Sequence, residues 1–208
     1  MGRPDMLGLF AVLALVAGCA GTTAAKELDP PHSWREMATS ADRERIRDWR
    51  GAWTTALAQV DASGQSARLA ALGPLMLPDS AQPGPALPPG DYSCNVYKLG
   101  AKDANAADFT RSPSFTCRVT REKDMLSFAK LDGSQKPVGF LFPADETRMI
   151  FLGTMMLGDE RRPLDYGRDP ERDMAGALER VGPNRWRLVL PFPRWESTLD
   201  VVELVPKG

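Results

Sequence analysis

The sequence predicts a mainly β protein with an N-terminal helical segment, an α+β fold whose antiparallel strands form a barrel-like sheet. Three observations predict it. Short segments of alternating apolar and polar residues recur after Gly90, an apolar stripe at helical spacing precedes them, and a connector rich in proline and glycine divides the two parts. A β-sandwich is the alternative fold.

The start of the chain predicts that the protein is exported to the cell envelope. Residues 6–17 are apolar but shorter than the about 20 residues of a membrane-spanning helix, so they fit a secretory signal peptide. Residues 16–19 resemble the bacterial lipobox, in which the chain is cut before a lipidated cysteine, here Cys19. We expect its acyl chains to anchor the protein at the membrane, facing the periplasm. Ala20 rather than Asp follows, which by analogy with enteric sorting favours the outer membrane; an uncleaved anchor or a cut elsewhere is the alternative.

The predicted domain organisation follows from this export signal and from the composition. We expect a lipoprotein signal peptide over residues 1–18, a flexible tether over residues 19–33 and a single domain over residues 34–208. Within that domain, a helical segment over residues 34–76 packs on a barrel-like part over residues 90–208, because one helix pair cannot bury its apolar stripe alone.

Charge and histidine content exclude several classes of function. The formal net charge is -1, so the protein lacks the excess positive charge that attracts nucleic acid, and we expect no nucleic-acid partner. The single histidine, His32, falls in the tether, which argues against Ser–His or Cys–His catalysis and against most zinc sites. We expect no metal and no cofactor.

The cysteines divide into one lipid site and one pair. Cys94 and Cys117 each lie in phase with the apolar residues of an alternating strand, so both point to the same kind of face. In an oxidising periplasm this predicts a disulfide, worth about 3 kcal/mol on the chain-entropy estimate. Two free buried thiols are the alternative.

The helical segment is predicted from a cap and a stripe. Thr39 and Asp42 form a capping box with Asp in place of the usual Glu, and a weaker helix covers residues 66–72. The stripe recurs at spacings of three and four at Ile46, Trp49, Trp53, Leu57 and Val60. Its tryptophans are expected to be core anchors rather than a ligand box.

About eight strands follow the connector. They are predicted over residues 91–98, 114–121, 125–131, 136–142, 148–154, 174–181, 185–192 and 198–205. Hairpin loops are expected at residues 132–134 and 182–184. Consecutive strands of this spacing favour an up-and-down barrel of the lipocalin/calycin type, whose interior is either filled by side chains or holds one small ligand.

The loop over residues 158–173 is the best candidate site, because it holds six acids and four arginines. Its carboxylates could act as acid and base or bind calcium, but the interleaved arginines favour mutual ion pairing. If the barrel holds a ligand, this loop is expected to cover its mouth and to contact an anionic group. The candidate ligand contacts in it are Tyr166, Arg168, Asp169, Arg172 and Asp173.

Two further features of the sequence are possible sites. Trp195, beside Arg194, is expected to be a lid over one end of the barrel or an exposed protein contact. Ser127 and Lys130 fit the S-x-x-K motif of penicillin-binding enzymes, but in a strand they point to opposite faces, so the match is interpreted as a coincidence.

A succession of short motifs resembles one bacterial family. The motifs are DRERIRDW at 42–49, PPGDY at 88–92, GSQKPVG at 133–139, FLGT at 151–154, YGRD at 166–169, RDMAG at 172–176 and ESTLD at 196–200. Together they resemble the alphaproteobacterial lipoproteins grouped as domain of unknown function 4893. The resemblance implies an exported lipoprotein and no particular catalytic residue.

These observations leave three functions open. The leading hypothesis is a noncatalytic envelope protein with a structural or partner-binding role. The alternatives are a small-ligand-binding barrel protein and an acid-dependent periplasmic hydrolase that uses carboxylates of the 158–173 loop. A barrel filled by its aromatic residues would argue against the ligand carrier. The side chains expected to fill it are Phe140, Phe142, Phe151, Trp186 and Leu188.

Overall fold

The structure, a computed structural model, describes Met1, Gly2 and residues 33–208. The predicted lipidation site Cys19 and the single histidine His32 lie outside the described residues. Helices come first: α1 (Trp34–Met37), α2 (Ser40–Arg47), α3 (Trp49–Ala62) and α4 (Ser66–Ala70), followed by a 3₁₀ turn (Gly73–Met76). Within residues 33–208, no helix is both long and apolar enough to cross a membrane.

The apolar stripe is divided between two helices and does not continue through one. Thr39 caps α2 as predicted, since its hydroxyl accepts a hydrogen bond from the backbone N–H of Asp42 at 3.2 Å. Asp48 then leaves the helical conformation, with φ -93° and ψ 20°. The Asp48 carboxylate lies over the first turn of α3. It occupies the space that a Cβ atom at position 51 would need, which Gly51 leaves free. Negative charge at a helix N-terminus is favourable, which supports a new start here.

Nine strands follow within the described part of the chain. They are β1 (Gly90–Ala101), β2 (Phe109–Arg111), β3 (Phe115–Glu122), β4 (Met125–Lys130), β5 (Gln135–Pro143), β6 (Arg148–Leu157), β7 (Asp173–Gly182), β8 (Arg185–Pro191) and β9 (Ser197–Pro206). Every neighbouring pair is antiparallel, and β9 pairs along β1 from Tyr92↔Pro206 to Ala101↔Ser197. This last pairing closes eight strands into a barrel, so the predicted barrel is confirmed.

Strand β2 was not predicted. It is three residues long and pairs with the second half of β1 at Tyr97↔Arg111, while β3 pairs with the first half at Cys94↔Phe115. Three residues are too few for alternation to be recognised in the sequence.

Apolar residues are buried on both faces of the barrel wall. The interior forms one cluster, and two outer clusters lie where the helices and the 158–173 loop cover the wall. On β8 this burial extends to both faces: Arg187 and Val189 are 0% exposed although they point outward. Helix α3 and the 3₁₀ turn shield that outer face from water.

The predicted disulfide is confirmed. Cys94 and Cys117 are joined, with their Cα atoms 6.0 Å apart. They lie on neighbouring strands β1 and β3, where Cys117 is paired with Tyr92, two residues from Cys94, and both belong to the interior cluster. The bridge therefore fastens the strand that closes the barrel to its neighbour from the inside.

The barrel is filled at one end. There Tyr92 and Trp186 pack edge to face with ring centroids 6.2 Å apart, and Leu87 of the connector joins the interior cluster. The expected filling is only partly correct. Phe151, Trp186 and Leu188 are inside, but Phe142 belongs to an outer cluster and Phe140 is 39% exposed. Both lie out of phase with Leu141, which takes the inward position of β5.

Candidate functional site

The other end of the barrel is open and contains a cavity of about 270 Å³. It lies where β1, β4, β6 and β8 end and where β5, β7 and β9 begin. Small-ligand sites typically occupy about 300–1,000 Å³, so the cavity is near the lower end of that range. The long loops between β6 and β7 and between β8 and β9 lie at this same end.

Most of the cavity wall is apolar. Met155 and Met174 are each 8% exposed, and methionine side chains adapt to ligands of different shape. The remaining apolar lining comes from Val96, Phe115, Pro137, Leu190 and Val202. These side chains are inward-facing members of the strand alternation, which is why the wall is continuous.

Lys130 is the most unusual polar group in the wall. It is 6% exposed, and its Nζ donates to the carbonyl oxygen of Gln135 at 2.7 Å. The ammonium also lies 3.7 Å from the ring centroid of Phe115, a cation–π contact. Burial lowers the pKa of Lys130, because desolvation disfavours the charged form.

A second lysine in the wall, Lys98, forms ion pairs with two carboxylates. Lys98 Nζ lies 2.9 Å from Glu196 Oε2 and 3.4 Å from Asp200 Oδ2. Burial opposes the charged form of Lys98, but the attraction of Asp200 and Glu196 prevails and raises its pKa. Ser197 Oγ donates to the other oxygen of Asp200 at 2.5 Å, so this cluster is internally satisfied.

A narrow cleft leads outward from the cavity and shares Lys98, Met155 and Asp200 with it. Three predicted site residues, Arg172, Asp173 and Trp195, line this cleft, which places them at the mouth of the barrel rather than inside it.

An ion pair connects the two loops at the mouth. Glu171 of the β6–β7 loop pairs with Arg194 of the β8–β9 segment, and both side chains are 55% exposed. Trp195 is 36% exposed beside them. The β8–β9 segment thus lies at the mouth of the barrel.

The other predicted site residues line neither the cavity nor the cleft. The hydroxyl of Tyr166 donates to the buried carboxylate of Asp42 and accepts from the backbone N–H of Thr39 at 3.0 Å. These bonds hold the loop against α2 on the outside of the barrel. Arg168 is exposed, and Asp169 accepts from the backbone N–H of Glu171 at 3.0 Å.

Four of the six acids of the loop, Glu160, Asp169, Glu171 and Asp173, are engaged in bonds to neighbouring groups. Arg172 donates to Glu160 at 2.7 Å and lies 3.5 Å from Asp169, which agrees with the expected mutual pairing. Asp173 is buried beside the N–H of Gly167, and burial raises the pKa of its carboxyl. Across residues 33–208 no three His, Cys, Asp or Glu side chains are grouped so as to hold a metal ion.

The S-x-x-K segment lies on β4, where its two residues face opposite sides of the wall. Lys130 points into the cavity, and Ser127 Oγ on the outer side contacts the carbonyl oxygen of Thr120 at 3.4 Å. This geometry excludes a Ser–Lys catalytic pair.

The cavity lysines and Asp200 were not predicted as site residues. The sequence did contain a signal for them. Lys130 is in phase with Leu126 and Phe128, as Lys98 is with Cys94, and a charge at a core position of a strand indicates a special environment.

Fold and cavity together define a class of protein: a small antiparallel β-barrel, filled at one end and open at the other. The chain belongs to the family described as Domain of unknown function (DUF4893), whose profile matches residues 34–204. The family resemblance predicted from the sequence motifs is therefore confirmed. No curated protein and no solved structure matches the chain significantly.

Proposed function

We propose that this protein is a noncatalytic, small-ligand-binding barrel of the bacterial cell envelope. The observation that supports it is the cavity of about 270 Å³, which is open to solvent through the cleft and lined mainly by apolar side chains. Leaving such a wall exposed to water is unfavourable, and an apolar ligand would cover it. Of the three functions open from the sequence, this cavity favours the ligand-binding barrel.

The proposal predicts that filling the cavity blocks binding. Met174→Trp adds volume within the wall, and we expect it to weaken binding of the neutral fluorescent probe N-phenyl-1-naphthylamine by at least about tenfold. The measurement is a fluorescence titration of the full-length chain. Met155→Trp tests the same wall from β6 if the first variant folds poorly.

Phe140→Trp is the matched control, since it introduces the same side chain on the outer, exposed side of β5. It should leave the probe affinity unchanged. Equal binding by wild type and both cavity-filling variants, with circular dichroism showing all of them folded, would contradict the proposal.

Localisation to the cell envelope is part of the same proposal. Its support is the lipobox-like segment ending at Cys19 and the Cys94–Cys117 disulfide, a bond that persists in oxidising compartments. We expect Cys19→Ser to abolish palmitate labelling and to shift the protein from the membrane fraction to the soluble fraction. Cys94→Ser, the control, should keep the label; a labelled Cys19→Ser protein would contradict lipidation at this residue.

A further inference from the structure

We propose that the ligand of the cavity is a small amphipathic carboxylate, whose anionic group pairs with the ammonium of Lys130 while its apolar body lies against the methionine wall. This inference rests on the proposed function and specifies the chemistry of the ligand. Four features of the cavity support it: the burial of Lys130, its partners, the charge balance around it and the shape of the wall.

Lys130 is more than nine-tenths buried, yet within residues 33–208 no carboxylate oxygen lies within 4.0 Å of its Nζ. Buried lysines are normally paired, because an isolated buried ammonium is costly. The nearest acidic influence is Asp132, whose carboxylate accepts from the backbone N–H of Thr116 at 2.8 Å instead. The cation therefore lacks a counter-ion from the described part of the chain.

The protein partners of Lys130 leave hydrogen-bonding capacity unused. An ammonium has three N–H donors. One is used by the carbonyl oxygen of Gln135, and the face of the Phe115 ring provides a second contact. Since Lys130 itself lines the cavity, a remaining donor is available to a ligand there.

Charge balance distinguishes the two lysines of the wall. Lys98 is fully compensated by Glu196 and Asp200, so it does not attract a further anion. The positive charge of Lys130 is the one without such compensation among the described cavity residues. A buried ammonium that pairs with no carboxylate of the described chain favours a ligand whose anionic group can approach it. A single amine nitrogen presents a point charge, which suits a carboxylate without requiring the two-pronged geometry of arginine.

The apolar wall defines the remainder of the ligand. Met155, Met174 and Leu190 line both the cavity and the cleft, so an apolar body can extend from Lys130 toward the mouth. The volume of about 270 Å³ restricts this body to a short chain or a small ring system.

The test compares hexanoate with 1-hexanol, which has the same number of carbons and no charge, by calorimetric titration of the full-length chain. We expect wild type to prefer hexanoate by about 10- to 100-fold, the usual effect of one charge-assisted hydrogen bond. Lys130→Met should abolish this preference while hexanol binding persists. Lys130→Gln, which keeps a donor but no charge, should show the same loss.

Lys136→Met is the matched control. Lys136 is the neighbouring lysine on β5, and it points away from the cavity and donates to the carbonyl oxygen of Gly158 at 2.9 Å. Its loss should leave the hexanoate preference intact, which separates a direct contact from general surface charge.

Failure of this inference can be told apart from failure of the proposed function. Equal affinity of wild type for hexanoate and hexanol, or no hexanoate binding at all, overturns the anionic ligand. Binding of the neutral naphthylamine probe would then still support a ligand-binding cavity. If the probe also fails to bind, the proposed function fails with the inference.

Discussion

Replacing Arg187 with methionine is expected to lower the free energy of unfolding by about 3–5 kcal/mol, the usual cost of removing one partner of a buried ion pair. Arg187 lies on the outer face of β8 and is 0% exposed. Its Nη2 lies 2.7 Å from Glu179 Oε2, and both side chains are fully buried. Without Arg187, the Glu179 carboxylate would retain, among residues 33–208, only Arg148 as a cationic partner.

Arg187 also fixes the segment that follows the helices. Its guanidinium donates to the carbonyl oxygens of Leu75 and Leu77, each at 2.8 Å, and of Pro78 at 2.9 Å. Methionine fills similar volume but cannot donate, so these buried carbonyls would lose their partners.

Urea denaturation followed by circular dichroism measures the effect. Arg118→Met is the control, because the Arg118–Asp91 pair is at the surface, with side chains 53% and 39% exposed. Such pairs contribute about 0–1 kcal/mol. A loss for Arg187→Met no greater than that for Arg118→Met would show that the buried pair does not hold the connector to the barrel.

Trp53→Ala is expected to cost a similar amount, about 3–5 kcal/mol, because it leaves a large cavity in a packed cluster. Trp53 is 0% exposed on α3 and packs with Tyr97, Leu99 and Val201 of the outer barrel wall. The Arg187 guanidinium lies 5.1 Å from its ring centroid, so the two residues belong to one contact region.

Trp49→Ala is the matched control from the same apolar stripe. Trp49 is only partly buried and lies at the edge of the cluster, so its loss should cost clearly less. One cooperative transition, shifted for Trp53→Ala, would indicate that helices and barrel unfold together. A barrel transition unaffected by Trp53→Ala would show instead that the helical segment contributes no stability to the barrel.

Arg187 and Trp53 are far along the chain from the cavity lysines, and both lie on the outer side of the barrel wall. Lys130 is different, since burying its charge without a counter-ion is unfavourable for folding. An anionic ligand paired with Lys130, as proposed above, would offset this cost.

Sequence alone was sufficient for the eight strands of the closed barrel, although not for the short β2, and it favoured the disulfide over two free thiols. Alternation is a local property: it identifies a strand and the two sides of its wall within a few residues. For the same reason, Cys94 and Cys117 could be assigned to the same kind of face before their distance was known. The end of α2 at Asp48 was not predicted, because the apolar spacing of the helical stripe continues across it. Where a helix ends depends on the conformation and side-chain contacts of the capping residue, which the spacing does not show.

The candidate site was predicted less well. Only the end of the 158–173 loop, residues 171–173, lies at the mouth, and the ion pairing of Arg172 follows the interleaved charges of the sequence. Tyr166, however, bonds to Asp42, a residue more than a hundred positions away in the chain, which no local pattern predicts. The same holds for the neutralisation of Lys98 by Asp200.

The sequence by itself determined the eight strands of the closed barrel and the family of the chain, because strand alternation and the family motifs are patterns of residues close together in the chain. Tertiary structure decided which end of the barrel is filled and which is open. It also decided that one buried lysine has carboxylate partners while the other lacks them among the described residues. The physical reason is that ion pairing and cavity volume depend on side chains that meet only when β9 closes onto β1.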